Sequence, residues 1–107
     1  MVLLKLFIYL SFLITISFSS NISNKVFKEY CWGCHHETST AFGPSFKEIA
    51  NKRTEGEIKG HIVAPKSTYK NLGYKRSVMP SFGNVLSDEE LNSITKYIQS
   101  YKNTKVK

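Results

Sequence analysis

The chain has 107 residues, with 15 basic and 8 acidic side chains and a formal net charge of +7. This length gives one small domain, and such a domain often needs a metal, a cofactor or a disulfide to complete a modest core. Two cysteines exclude a disulfide framework, and the lack of internal repeats excludes a repeat architecture.

Residues 1–20 have the pattern of a secretory signal peptide. One lysine, Lys5, interrupts an apolar run, and the small residues Ser17 and Ser19 fit a cleavage site. The run is shorter than the roughly 20 apolar residues of a membrane span, although a retained anchor is the alternative. We therefore expect export, with a domain at residues 21–107. Nucleic acid is not an expected partner of an exported protein, so the positive charge indicates either a solvated, lysine-rich surface or a face that steers an acidic protein partner.

The first predicted helix carries the most informative motif of the chain. Ser23 is expected to cap this helix, and apolar residues follow at helical spacing: Val26, Phe27 and Tyr30. The helix leads into Cys31-Trp32-Gly33-Cys34-His35, a pattern typical of a c-type haem attachment site. Two thiols about one helical turn apart can each add to one vinyl group of the porphyrin. His35 is then placed to be an axial iron ligand.

The residues next to this motif have simpler expected roles. Trp32 is expected to cover an edge of the haem, and His36 to lie at the surface because it directly follows His35. The next loop ends in Gly43-Pro44. Pro44 lacks an N–H but keeps its carbonyl, which either accepts a hydrogen bond from His35 or simply belongs to a turn.

Two further helices follow this loop. Ser45 is predicted to cap a helix from Phe46 to about Lys52, and Thr54 with Glu57 to form the capping box of a helix that ends near Ala64. The apolar residues of these helices are Phe46, Ile49, Ala50, Ile58, Ile62 and Val63. His61 lies among them, either as a structural histidine or as a haem ligand.

Residues 65–82 are predicted to form a long, ordered loop before the last helix. Proline and glycine interrupt the helical pattern, while the many apolar side chains argue against disorder. Its basic cluster consists of Lys66, Lys70, Lys75 and Arg76. The segment 87–90 then supplies a second capping box, and apolar residues recur at helical spacing: Leu91, Ile94, Ile98 and Tyr101.

Met79 is the only methionine besides Met1, which would leave with the signal peptide. Pro80 disfavours a helical backbone at Met79, so we expect an extended loop lying across from His35. A thioether paired with an imidazole raises the reduction potential of haem iron. The alternative is a buried methionine that fills a gap in the core.

The haem motif, Gly43-Pro44-Ser45-Phe46, Val78-Met79-Pro80 and the final helix together resemble class I cytochromes c, especially the small bacterial c-551 type. The resemblance implies an all-α fold, with three to four helices around one covalently bound haem c. In such proteins the first and last helices cross, here near Phe27 and residues 91–97.

For the site, the resemblance implies thioether bonds at Cys31 and Cys34 and axial ligation by His35 and Met79. The Pro44 carbonyl would hold His35. It also implies a monomeric periplasmic protein, soluble or N-terminally anchored, that carries single electrons and is not an enzyme. The expected partners are redox proteins with acidic docking surfaces, such as a membrane cytochrome complex, an oxidase or a reductase.

Other functions are possible for the same motifs. The segment 79–82 is also similar to haem subunits of multi-protein oxidoreductases, including those of sulfur oxidation. A haem protein with an open sixth position would bind small ligands. A thiol–disulfide oxidoreductase would need a βαβ context, which is not predicted. A zinc site would need a second, separate pair of ligands.

Overall fold

The computed structural model describes residues 21–103, and this part of the chain contains five helices and no strand. Helix α1 covers residues 21–31, and the others are α2 (Phe46–Lys52), α3 (Glu55–Val63), α4 (Pro65–Thr68) and α5 (Asp88–Gln99). The all-α prediction is confirmed. The predicted signal peptide lies outside the described residues. Among the helices that are described, none has the length and apolar character needed to cross a membrane.

Helix α1 differs from its prediction at both ends. The chain is already helical at Asn21, so Ser23 lies inside the helix and the prediction that it is the N-cap was wrong. The last five residues, Phe27–Cys31, form a π-helix, in which the Trp32 N–H donates to the Phe27 carbonyl at 2.8 Å. Trp32 then turns to an extended backbone. The His35 N–H donates to the Cys31 carbonyl at 3.0 Å, which folds the motif back on itself.

The other predicted helix starts are confirmed by their hydrogen bonds. Ser45 Oγ accepts from the Glu48 N–H at 3.1 Å at the start of α2. Helices α3 and α5 each begin with a reciprocal capping box, formed by Thr54 with Glu57 and by Ser87 with Glu90. These contacts satisfy N–H groups that the first turn of a helix leaves unpaired. Three of the helix starts are therefore fixed by residues next to them in sequence.

A small apolar core joins α1, α2, α3 and α5. Its buried members are Val26, Phe27, Phe46, Ala50, Ile58, Ile62, Ile94 and Ile98. The Phe27 ring lies 5.2 Å from the ring of Phe46 and 5.6 Å from that of Tyr97, centre to centre. The first and last helices are therefore in contact, as expected. Val63 differs from the other apolar residues of α3, because it is exposed.

The segment after α3 starts with a short helix where only a loop was predicted. Pro65 is the first residue of α4, a position at which its missing N–H has no cost. The chain that follows is held against α3, because the Phe82 N–H donates to the Ile62 carbonyl at 3.0 Å and Ser81 Oγ donates to the Val63 carbonyl. Arg53 Nη2 donates to the Leu72 carbonyl at 2.7 Å. The segment carrying Met79 is thus fixed on both sides.

Candidate functional site

One cavity brings together side chains that are far apart in the sequence. Its wall includes Cys31, Cys34, His35, Pro44 and Met79. Much of the remaining wall is apolar, with side chains from α1, α2, α3, α5 and the segment before α5: Tyr30, Phe46, Ile49, Ile58, Ile62, Phe82, Leu86, Ile94 and Ile98. The structure therefore gathers all five predicted site residues around one largely apolar space.

The imidazole of His35 is fixed by three neighbours. Its Nδ1 lies 2.7 Å from the Pro44 carbonyl oxygen, which can only accept, so Nδ1 carries the hydrogen. The ring stacks on Phe46 with a centre-to-centre distance of 5.9 Å. Gly43 packs so closely that a Cβ there would lie 2.5 Å from His35 Cε1. In the neutral ring, Nε2 is then the nitrogen without a hydrogen, which is the type that binds metals.

The two cysteines are free thiols in different surroundings. Cys31 is half-buried and Cys34 is exposed. Burial raises the pKa of the Cys31 thiol to about 11, whereas redox-active thiols in Cys-x-x-Cys motifs have a lowered pKa. No group of three or more histidine, cysteine or acidic side chains clusters as a metal-ion site within residues 21–103. Neither the thiol–disulfide nor the zinc alternative gains support.

Met79 and Pro80 line the cavity from the long segment before α5. Met79 is half-buried and packs against the apolar core, while its neighbour Val78 is 82% exposed. The hydrogen bonds of Ser81 and Phe82 to the end of α3 hold this stretch in place. A thioether thus lies on a well-anchored part of the cavity wall.

Of the other side chains that could face the haem, Trp32 and His36 lie off the cavity, whereas His61 lines it. Trp32 is 63% exposed and does not line the cavity; its ring lies 6.1 Å from that of His36. His36 does not line the cavity either. His61 does line it, and its Nδ1 lies 2.7 Å from Thr68 Oγ1, so one ring nitrogen has a partner within the protein.

Sequence reasoning considered His61 but missed the other polar residues that line the same cavity, a set that we call the polar lining. Its members are Arg53, Glu57, His61, Tyr74, Arg76 and Ser77. Ser77 Oγ is buried and makes no hydrogen bond. One signal was available in the sequence: 13 of the 15 basic residues are lysine, so the two arginines stand out. Arginine is the cation best suited to binding carboxylates.

These residues fit a covalently bound haem. Two thiols and an imidazole come from one motif, and a thioether comes from a distant segment. The apolar wall suits the porphyrin, and the unpaired Ser77 hydroxyl and the arginines suit its carboxylates. The helical fold and this cavity define a small cytochrome c domain.

Comparison with known families agrees with this class. The sequence profile described as "Cytochrome C oxidase, cbb3-type, subunit III" matches residues 22–98. The chain belongs to this family: it is a class I cytochrome c domain that binds haem c covalently and functions in electron transfer. No curated protein and no solved structure matches the chain.

Proposed function

We propose that the chain is an exported single-electron carrier with one haem c. Cys31 and Cys34 form the thioether bonds, and His35 and Met79 are the axial ligands. The observation that carries this proposal is that His35 and Met79, from distant segments, line one cavity while the Pro44 carbonyl orients His35. Residues 1–20 direct export to the periplasm, and residues 21–107 form the single-haem domain, a monomer of the c-551-like type.

Each residue of the site has a distinct effect on electron transfer. Haem supplies a one-electron couple between ferric and ferrous iron. The hydrogen bond from His35 Nδ1 to the Pro44 carbonyl fixes the ring and makes its other nitrogen a stronger donor. The soft sulfur of Met79 favours ferrous iron and raises the reduction potential. Because both ligands lie on anchored segments, little rearrangement accompanies each electron.

The charge distribution supports an acidic redox partner. The basic cluster of Lys66, Lys70, Lys75 and Arg76 is exposed, and the whole chain has a net charge of +7. Charges at the rim of an interface speed association and make it sensitive to salt. We therefore propose an oxidase, a reductase or a membrane cytochrome complex with an acidic docking surface as the partner.

A second candidate is a haem subunit that stays bound in a multi-protein oxidoreductase. The family description, which names a subunit of a cytochrome c oxidase, favours it. A free carrier would leave its partner quickly and lose rate as salt rises. A resident subunit would co-purify with its complex in high salt, and its electron-transfer rate would be insensitive to Lys70→Glu and Lys75→Glu.

The test of the axial ligands is the visible spectrum of the holoprotein. The ferric parent should show the methionine–iron charge-transfer band, and Met79→Ala should lose it. The reduced parent should resist carbon monoxide at neutral pH, whereas Met79→Ala should bind it. Val85→Ala is the matched control, because Val85 is exposed and does not line the cavity, so this variant should keep the parent spectrum. A parent without this band would lack ligation by Met79, and a parent that also binds carbon monoxide when reduced would have an open sixth position.

A further inference from the structure

The ring of Phe46 stacks on His35 and is itself enclosed by aromatic side chains from other helices. Phe46 is 1% exposed. Its ring centre lies 5.9 Å from that of His35 with an interplanar angle of 26°, so the two rings lie nearly face to face. The Phe46 N–H also donates to the carbonyl of His36, the residue after His35, at 2.9 Å. The backbone and the ring of one residue therefore both hold the segment that carries the proposed iron ligand.

The other neighbours of the Phe46 ring come from the first and last helices and the residues that follow. The α1 residue Phe27 lies 5.2 Å away, centre to centre. The α5 residue Tyr97 lies 6.0 Å away at 87°, the edge-to-face arrangement that aromatic pairs favour. Tyr97 does not line the cavity, and its hydroxyl lies 3.2 Å from that of Tyr101. The contact between α1 and α5 is thus built around the residue that stacks on His35.

The hydrogen bond to Pro44 does not by itself fix the plane of the His35 ring. It holds one atom, Nδ1, at 2.7 Å from the carbonyl oxygen. With Nε2 bound to iron, the ring is held at two points and can still turn about the line that joins them. A face-to-face neighbour resists this motion, because turning the ring drives its edge into Phe46, which gives way only if its own neighbours move. Gly43 also borders the ring, so losing the stack should loosen the ring rather than free it.

We propose that Phe46 transmits the packing of α1 against α5 to the iron ligand, which makes Tyr97 a positioning residue for His35 although Tyr97 lies off the cavity. A stack that Tyr97 keeps in place holds the His35 Nδ1–H on the Pro44 carbonyl, and this hydrogen bond makes Nε2 a stronger donor. A stronger donor favours ferric over ferrous iron, so the packing lowers the reduction potential relative to a loosely held ring. This inference rests on the proposed ligation of the iron by His35.

Two variants of the haem-loaded protein test the stack and its support. Phe46→Leu removes the stack but keeps an apolar side chain in the core, and Tyr97→Leu removes the support from α5. Both should speed the exchange of the His35 Nδ1–H with solvent deuterium, measured by nuclear magnetic resonance on the ferrous protein. Both should also raise the reduction potential, Tyr97→Leu by the smaller amount. A tenfold change in the ratio of ferrous to ferric protein corresponds to about 59 mV for one electron.

Two further variants separate positioning from stability. Tyr97→Phe keeps the ring against Phe46 and loses only the hydroxyl beside Tyr101, so it should keep the exchange rate and the potential of the parent. Val26→Ala is the matched control for lost core packing, because Val26 is fully buried, is not aromatic and does not line the cavity. A shortened core side chain leaves a cavity and destabilises the fold, so Val26→Ala should lower the thermal midpoint and leave the potential unchanged.

The double variant Phe46→Leu, Tyr97→Leu shows whether Tyr97 acts through Phe46. Changes to residues that share one contact are not additive. Once the stack is absent, Tyr97→Leu should add nothing to the shift in potential that Phe46→Leu causes alone. If the two shifts add in full, Tyr97 acts on the iron by another route, and the proposal is wrong.

Other results would also overturn the inference. One is a parent-like exchange rate and potential in Tyr97→Leu, and another is a shift in Val26→Ala as large as that in Tyr97→Leu, which would trace the effect to stability alone. Either result, in a parent that shows the haem and methionine bands, leaves the proposed function intact. A protein without covalent haem would refute the proposed function itself. If Phe46→Leu does not fold, the comparison of Tyr97→Leu with Tyr97→Phe decides by the same two measurements.

Discussion

At the residue scale, Gly43 leaves no room for a side chain next to the His35 ring. A Cβ on Gly43 would lie 2.5 Å from His35 Cε1 and 2.9 Å from Nδ1, distances that side chains do not tolerate. The Gly43 N–H also donates to the Cys34 carbonyl at 2.7 Å, so the backbone cannot easily move away. Glycine at this position therefore lets the backbone approach the proposed iron ligand.

Gly43→Ala should displace the His35 ring and weaken its hydrogen bond to Pro44. Overpacking of this kind costs about 1–3 kcal/mol. We expect a lower thermal midpoint of the holoprotein together with a changed visible spectrum. Both can be measured on one sample, by circular dichroism and by absorbance.

Gly56→Ala is the matched control for this substitution. Gly56 lies in α3, and a Cβ there would meet no atom within 4 Å. Alanine favours a helix over glycine by about 1 kcal/mol, so this variant should be as stable as the parent or more stable. An unchanged spectrum and midpoint in Gly43→Ala would show that His35 is not held by this contact.

At the element scale, the start of α5 depends on its capping box. Ser87 Oγ accepts from the Glu90 N–H at 3.1 Å, and Glu90 Oε1 accepts from the Ser87 N–H at 2.9 Å. Ser87→Ala should destabilise the protein by about 1 kcal/mol, the usual effect of losing an N-cap. Urea unfolding measures this loss. Ser87→Asp keeps an N-cap acceptor and should stay close to the parent; equal loss in both variants would contradict the capping role.

The same box predicts how stability responds to acid. Hydrogen bonds from the Ser87 backbone and then from its side chain hold the pKa of Glu90 below its ordinary value of 4.5. A carboxyl group with a lowered folded pKa stabilises the fold fully above its unfolded pKa, and this contribution disappears as pH falls through the folded pKa. Thermal midpoints at pH 7 and pH 3 should therefore differ less in Glu90→Gln than in the parent.

Glu89→Gln controls for the loss of one negative charge from the same turn, since Glu89 lies outside the capping box. It should keep the acid sensitivity that Glu90→Gln reduces. If the two variants respond equally, the general charge of the first turn, and not the box, explains the effect of acid.

At the same scale, helix α1 ends in a π-turn that its pattern of apolar residues did not predict. Apolar residues at helical spacing correctly indicated a helix ending at the motif, but the spacing does not distinguish an α-turn from the π-turn at Phe27–Cys31. A π-turn adds one residue to the turn and is rare without tertiary support. Here Phe27 packs into the core against Phe46 and Tyr97, and this packing is the support that the local sequence does not show.

At the scale of the whole molecule, the haem is expected to complete the core. The described part of the chain buries few apolar side chains, and others line the cavity instead. The double variant Cys31→Ser, Cys34→Ser, which removes both thioether bonds, should lose most of its cooperative thermal unfolding. In a domain of this size, a loss of about 3 kcal/mol would lower the midpoint by about 12–24 °C.

Circular dichroism together with the haem content of the purified protein tests this expectation. Cys34→Ser alone keeps one thioether bond and should fall between the parent and the double variant. A double variant that contains no haem but melts cooperatively near the temperature of the parent would show that the polypeptide core is sufficient by itself.

The sequence alone determined the parts of this protein that neighbouring residues encode. The spacing of Cys31, Cys34 and His35 identified the cofactor, because two attachment points and a ligand must lie within about one turn. Capping residues and apolar periodicity located α2, α3 and α5, because these signals also lie within a few residues of each other.

The tertiary structure alone decided which distant residues share the cavity. Arg53 stacks over the Tyr74 ring at the cavity wall, Ser77 lines the same cavity, and Gly43 lies against His35. The sequence does not show that these residues meet, because their positions depend on the path of the segment between α4 and α5 and on long-range contacts such as Arg53 to Leu72. Met79 lies between the two cases: its identity and the following proline are local signals, but its position on the wall that carries His35 depends on the folded chain.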